Sequence, residues 1–103
     1  MKTYNKLVRD KIPEIIAADG GSCETKTLFF ADYLRELDNK LTEEHDEYIL
    51  SHNVEELADL LEVIYAIAKI RGVSAEKLDA LRAEKAEKRG RFEKRIFLQT
   101  VRG

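Results

Sequence analysis

The chain has 103 residues, and its 18 basic and 20 acidic side chains give a net charge of −2. We expect one domain over residues 1–103, and this small size favours a homo-oligomer, either a dimer or a tetramer. The charge balance argues against a nucleic-acid partner, because proteins of that class carry a large basic excess. No apolar run is long enough for a signal peptide or a membrane span, and Cys23 is the single cysteine. Together these features predict a cytoplasmic protein without a membrane partner.

Helical periodicity dominates the chain and predicts an all-α, antiparallel bundle of about four helices. Pro13 suits the first turn of a short initial helix, Gly72 a helix end, and Ser74 an N-cap. The predicted helices are Lys11 to Asp19, Phe30 to Ser51, Val54 to Arg71 and Ala75 to Arg89.

Two segments have strand character instead of helical periodicity. Residues 23–29 alternate, and residues 95–101 form the other β-favouring run in the chain. Because a lone strand is unstable in water, we predict that the two pair in a small two-stranded ribbon.

Four carboxylates stand symmetrically about the turn between the second and third helices: Glu44, Glu47, Glu56 and Asp59. In an antiparallel hairpin, Glu44 would lie opposite Asp59, and Glu47 opposite Glu56. Glu44 also falls inside an apolar stripe of the second helix, where a hydrophobic residue is expected. The neighbouring Glu43 falls on the opposite, solvated face.

Converging carboxylates repel one another and are costly to bury, so a cation is expected between them. Oxygen ligands favour hard ions, and this set predicts Mg²⁺, with Mn²⁺ as a second possibility. Two other interpretations stay open: salt bridges to Lys or Arg could neutralise the acids, and Glu56 could complete a capping box with Asn53. Capping does not account for Glu44 in an apolar stripe or for the match across the turn, so salt bridges are the main competing interpretation.

A basic cluster closes the last predicted helix, and Gly90 ends that helix beside it. Cations next to backbone amides freed at a glycine are suited to phosphate binding. The candidate phosphate ligands are Lys85, Lys88, Arg89 and Arg91, with Arg9 and Lys11 near the N-terminus as a second set.

Three segments in order resemble a known family. The acidic pairs, Glu43-Glu44-x-x-Glu47 followed by Glu56-x-x-Asp59, resemble the EExxE and ExxD signature of the MazG-like all-α nucleoside triphosphate pyrophosphohydrolases. The opening Tyr4 to Pro13 looks like the phosphoribosyl-ATP pyrophosphohydrolase-like branch, and Glu87 to Phe92 is similar to its closing basic motif. The closing motif departs from that pattern at Arg91, where a second glycine is expected. The spacer between Glu47 and Glu56 is shorter than in the larger MazG-type and dUTP-cleaving members, which implies a tight hairpin like that of the phosphoribosyl-ATP branch.

The resemblance implies that Glu44, Glu47, Glu56 and Asp59 hold Mg²⁺. It also implies hydrolysis of a nucleotide between the α and β phosphates, which yields a monophosphate and pyrophosphate. Glu44 or Glu47 would orient the attacking water as general base. Three functions remain: a house-cleaning or regulatory nucleotide pyrophosphohydrolase, a phosphoribosyl-ATP pyrophosphohydrolase of histidine biosynthesis, and a non-catalytic helical module for nucleotide sensing or oligomerisation.

Overall fold

The computed structural model describes residues 2–103, and all the regular secondary structure in that range is helical. Four helices follow one another along the chain, and no strand occurs among the described residues. The prediction of an all-α protein with about four helices is confirmed. The helices are α1 (Ile12–Ala18), α2 (Phe30–Ser51), α3 (Val54–Ile70) and α4 (Ala75–Arg89).

Local hydrogen bonds explain where the helices begin and end. The Ser74 hydroxyl accepts a hydrogen bond from the Lys77 backbone N–H at 3.1 Å, which caps the first turn of α4. Gly90 ends α4 with φ +82° and ψ 174°, a conformation open essentially to glycine alone. These residues therefore set the α4 boundaries that the sequence predicts.

A two-residue turn joins α2 to α3 and fixes their register. His52 adopts the left-handed conformation, with φ +55°, and its N–H donates to the Tyr48 carbonyl at 2.7 Å. Asn53 then caps α3 through a 3.0 Å hydrogen bond from the Glu55 N–H. The two helices pack along their length as an antiparallel hairpin, which buries Leu37 on α2 and Val63 on α3. This hairpin is the structural centre of the domain.

The remaining helices are attached more loosely to the hairpin. α4 packs against α3, whereas α1 packs against none of the other helices in the described chain. Ion pairs of Lys6 with Glu43 and of Arg9 with Asp59 instead hold the N-terminal segment along the hairpin. None of the described helices combines the length and apolar character that crossing a bilayer requires.

The predicted β-ribbon is not formed in this structure. Residues 23–29 and 95–101 both run without secondary structure, and Ile96, Phe97 and Leu98 are largely exposed. β-propensity reflects packing on a half-buried surface rather than an intrinsic backbone preference. Without a helix or a third strand beneath them, the two segments lack the apolar contacts that would stabilise the pairing.

We predict that Leu37→Ala lowers the free energy of unfolding by about 2–5 kcal/mol, because it removes packed methyl groups from the hairpin interface. Leu37 is 2% exposed, whereas Leu50 on the same helix is 87% exposed. Leu50→Ala is therefore the matched control and should change stability by less than about 0.5 kcal/mol. Urea unfolding followed by circular dichroism measures both, and equal losses for the two variants would contradict this assignment of the core.

Candidate metal-binding site

Glu44 is the buried polar residue at the centre of the hairpin. It is only 7% exposed and shares the buried side of α2 with Leu37, seven residues earlier. Its Oε1 lies 3.4 Å from the Lys40 Nζ, while its Oε2 is buried without a hydrogen-bond partner among the described residues. A buried acceptor without a partner is costly, so this oxygen is suited to accept a ligand that brings positive charge.

Two groups of carboxylates converge on Glu44. One contains Glu44, Glu56 and Asp59, and the other contains Glu43, Glu44 and Glu47. In each group, one oxygen per residue lies within 4.8 Å of the others. The predicted quartet is thus brought to one region of the hairpin, but as two triads that share Glu44. Glu47 belongs to the triad on α2 alone.

Side chains of the protein neutralise part of this acidic cluster. Arg9 donates to the Asp59 Oδ1 at 2.7 Å, Lys6 lies 3.2 Å from Glu43, and Lys40 lies between Glu43 and Glu44. The salt bridges that the sequence left open as an alternative are therefore present. The two triads hold five carboxylates, and three cations contact them. With all five ionised, two negative charges remain, the charge that one divalent cation would neutralise.

Glu56 is not needed to cap its own helix. In a capping box its side chain would accept from the Asn53 N–H, but that N–H donates instead to the Ser51 hydroxyl at 3.1 Å. The Asn53 side chain alone caps α3. Capping therefore does not account for the position of Glu56, whose carboxylate lies with Glu44 and Asp59.

Burial and neighbouring charges shift two carboxyl groups in opposite directions. Removal from water raises the pKa of Glu44 above its ordinary value, and the nearby Glu47 raises it further, despite the opposing attraction of Lys40. Burial alone would also raise the pKa of Glu43. The hydrogen bond from Lys6 and the positive charge of Lys40 outweigh it, so the pKa of Glu43 is lowered.

Three residues of the site were missed by sequence reasoning. Glu43 was predicted to be solvated, but it is half-buried and joins one triad. Lys40 carried a local signal, because it precedes Glu44 by one helical turn and can reach it on the same face. Lys6 carried no such signal, because it lies 37 positions before its partner Glu43 in the sequence.

The predicted phosphate ligands divide between two places. Arg9 is at the acidic cluster, whereas Lys11 is exposed at the start of α1. Lys85, Lys88 and Arg89 line a groove of about 190 Å³ on α4, where Lys88 donates to Glu84 at 2.9 Å. Arg91 follows α4 and is exposed. Within residues 2–103, no ion pair or hydrogen bond joins the α4 cations to the acidic cluster.

Comparisons of the chain with protein-family models, with curated proteins and with solved structures find no match. The physical case for a function therefore depends on the geometry of the acidic cluster.

We predict that the metal-free protein loses stability as the pH rises from the ordinary carboxyl pKa, near 4.5, through the raised pKa of folded Glu44. In that window the folded state holds a proton that the unfolded chain has released, so deprotonation favours unfolding. Glu44→Gln should remove this part of the pH dependence and be more stable than the wild type at neutral pH. Chemical unfolding of the wild type and of Glu44→Gln, in chelator over a pH series, measures the free energy of unfolding of each protein.

Glu62→Gln is the control for that series, because Glu62 is exposed on α3. If Glu44→Gln and Glu62→Gln change the pH dependence of the free energy of unfolding equally, the raised pKa of Glu44 is not the source of that dependence.

Proposed function

We propose that this protein is a Mg²⁺-dependent nucleotide pyrophosphohydrolase that cleaves between the α and β phosphates. The observation that carries the proposal is the buried Glu44 carboxylate, with one oxygen unsatisfied, in a triad with Glu56 and Asp59. A packing position occupied by an unsatisfied carboxylate is best explained by a ligand that is positively charged. The resemblance of the acidic pairs to the MazG-like signature supplies the reaction class.

The donor set fits a hard divalent cation. All the ligand atoms are carboxylate oxygens, and neither triad contains Cys or His. Mg²⁺ is usually held by one or two carboxylates and completes its octahedron with water and substrate phosphates, so the triad supplies enough ligands. Bound there, the ion would polarise phosphate oxygens and make a bound water more acidic.

The residues of the chain divide the remaining roles. Glu44, Glu56 and Asp59 would hold the cation, because only this triad draws ligands from both helices of the hairpin. Glu47 lies outside that triad and is within reach of Glu44. It is therefore free to accept a proton from the water that attacks the α-phosphorus. As the bond between the water oxygen and the α-phosphorus forms, the bond to the bridging oxygen breaks and pyrophosphate leaves.

Cations of the chain would bind the substrate phosphates. Arg9 contacts Asp59 through one terminal nitrogen and is more than half exposed, so its planar guanidinium could turn from the carboxylate to a phosphate. Lys85, Lys88 and Arg89 offer a second basic surface on α4. Both nucleoside triphosphates and phosphoribosyl-ATP fit the proposed reaction, so the substrates to be tested include both.

A second candidate, a non-catalytic helical module, is favoured by the observed ion pairs. Lys6, Arg9 and Lys40 already contact the acids, and such a network could serve only to hold the N-terminal segment on the hairpin. A module of this kind would be indifferent to Mg²⁺. Dependence of activity and stability on the metal therefore separates the two functions.

We predict that incubation with nucleoside triphosphates or phosphoribosyl-ATP yields pyrophosphate and the matching monophosphate in Mg²⁺, but not in chelator. Glu44→Gln should lower turnover by about 100-fold or more, because it removes a charged ligand of an ion that would stabilise the transition state by several kcal/mol. Ion-exchange chromatography of the products measures both effects. Glu62→Gln is the control and should keep wild-type turnover.

The proposal fails if no substrate of the panel is cleaved or if Glu44→Gln retains full activity. Calorimetric titration with Mg²⁺ then separates two outcomes: binding without turnover would leave a cation site without the proposed activity, whereas neither binding nor turnover would support the non-catalytic module.

We predict that Lys88→Ala raises KM by more than it lowers kcat, because a lysine that contacts phosphate equally in the ground and transition states contributes uniform binding. Lys77→Ala, at the other end of α4, is the control and should leave KM unchanged. Initial-rate kinetics measures both variants. An unchanged KM for Lys88→Ala would reject a substrate role for the basic groove.

A further inference from the structure

The N-terminal segment, residues 2–11, is attached to the hairpin by charge. Lys6 donates to Glu43 at 3.2 Å and Arg9 donates to Asp59 at 2.7 Å, and these are the two hydrogen bonds that join residues 2–11 to α2 or α3. Among residues 2–10, Leu7 is half-buried and the others are exposed. Loss of the two ion pairs would therefore leave this segment with few contacts to the hairpin.

The two ion pairs end on carboxylates from different helices. Glu43 lies on α2 and Asp59 on α3, so the N-terminal segment bridges the two helices at the acidic cluster. Each of these two acids also belongs to one of the triads that share Glu44. Because Lys6 and Arg9 are three positions apart, one short piece of chain reaches both triads.

The cations of the N-terminal segment do not satisfy the centre of the cluster. Glu44 is 7% exposed, and its Oε2 has no hydrogen-bond partner within residues 2–103. Lys6 and Arg9 contact acids whose side chains are more accessible, 32% exposed for Glu43 and 42% for Asp59. The segment thus neutralises the rim of the cluster and leaves its buried centre to another positive charge.

We propose that the N-terminal segment competes with a divalent cation for the acidic cluster, so that binding of the ion releases residues 2–11 from the hairpin. This regulation rests on the proposed function, because it requires the cation site formed by Glu44, Glu56 and Asp59. Mg²⁺ binds carboxylate oxygens at about 2.1 Å, so an ion on Asp59 would lie a few ångströms from the Arg9 guanidinium. Two positive charges at that distance repel each other, and each weakens the hold of the carboxylate on the other.

Competition of this kind is reciprocal. If Arg9 weakens the binding of the cation, the bound cation weakens the attachment of Arg9 by the same factor. The Arg9 side chain is 57% exposed, and an exposed ion pair contributes little to stability, so the pair can be exchanged for a bound ion. The chain therefore carries its own competitor, which raises the cation concentration needed to fill the site.

The effect on affinity is tested by calorimetric titration of the full chain with Mg²⁺ alone, at about 0.15 M ionic strength, where distant charges are screened. Arg9→Gln should lower the dissociation constant for Mg²⁺ by about 5-fold or more, because it removes both the ion pair and the repulsion. Lys6→Gln repeats the test at Glu43 if Arg9→Gln fails to fold, which circular dichroism checks.

Arg82→Gln is the matched control for that titration. It removes the same charge and a similarly exposed ion pair, the 2.8 Å contact with Asp79 on α4. Because this pair lies outside the acidic cluster, the dissociation constant for Mg²⁺ should stay within about twofold of the wild-type value.

Release of the N-terminal segment is measured by limited trypsin digestion of the wild type, with the peptides identified by mass spectrometry. Trypsin binds the basic side chain on the N-terminal side of the bond that it cuts, so cleavage after Arg9 requires the ion pair with Asp59 to open. Mg²⁺ should speed cleavage after Arg9 severalfold relative to NaCl of equal ionic strength. Cleavage after Arg95, outside the segment, should not change.

The outcomes separate this competition from the proposed function. If the wild type and Arg9→Gln bind Mg²⁺ equally, or if Mg²⁺ does not change the rate of cleavage after Arg9, the competition is overturned and the cation site remains. An equal gain in affinity for Arg82→Gln would assign the effect to net charge and overturn it as well. If the wild type and both variants all fail to bind Mg²⁺, the cation site itself is refuted, and the proposed function fails with it.

Discussion

The placement of a carboxylate inside the α2–α3 interface is the constraint on which the site depends. The short turn through His52 fixes the register of the hairpin, and this register brings Glu44 to Glu56 and Asp59. An apolar residue at position 44 would pack without the cost of removing a charge from water. Lys40 offsets that cost at one oxygen only. Packing stability alone therefore does not explain Glu44, whereas a bound cation would satisfy its second oxygen and offset the repulsion from its neighbours.

The ion pairs at the cluster are compatible with cation binding. Arg9, Asp59 and Lys6 are substantially exposed, and the Glu43 side chain is 32% exposed. Exposed pairs contribute little to stability, typically about 0–1 kcal/mol, because water solvates the separated charges well. A divalent ion held by several carboxylates can therefore replace Arg9 at Asp59 at small cost. The arginine released in this way would remain beside the site, in a position to contact an anionic substrate.

Local sequence signals were enough to predict the helices and the unusual burial of Glu44. Periodicity, the Ser74 cap and Gly90 define boundaries through contacts within a few residues, so they can be read without tertiary knowledge. The position of Glu44 could be predicted because it interrupts an apolar stripe. The ion pairs of Lys6 and Arg9 could not, because they depend on the path of the N-terminal segment across the hairpin. The prediction of a β-ribbon was wrong for a related reason, because strand propensity in residues 23–29 and 95–101 does not specify a surface on which the strands could pack.

Helix α3 supplies two of the carboxylates that lie with Glu44, and its packing on α2 sets their spacing. A cation drawing ligands from both helices needs that spacing to be maintained against the repulsion of its own ligands. Leu37 on α2 and Val63 on α3 are buried in the same interface. Their apolar contacts therefore stabilise the geometry of the acidic cluster together with the hairpin, so the site and the core have a common source of stability.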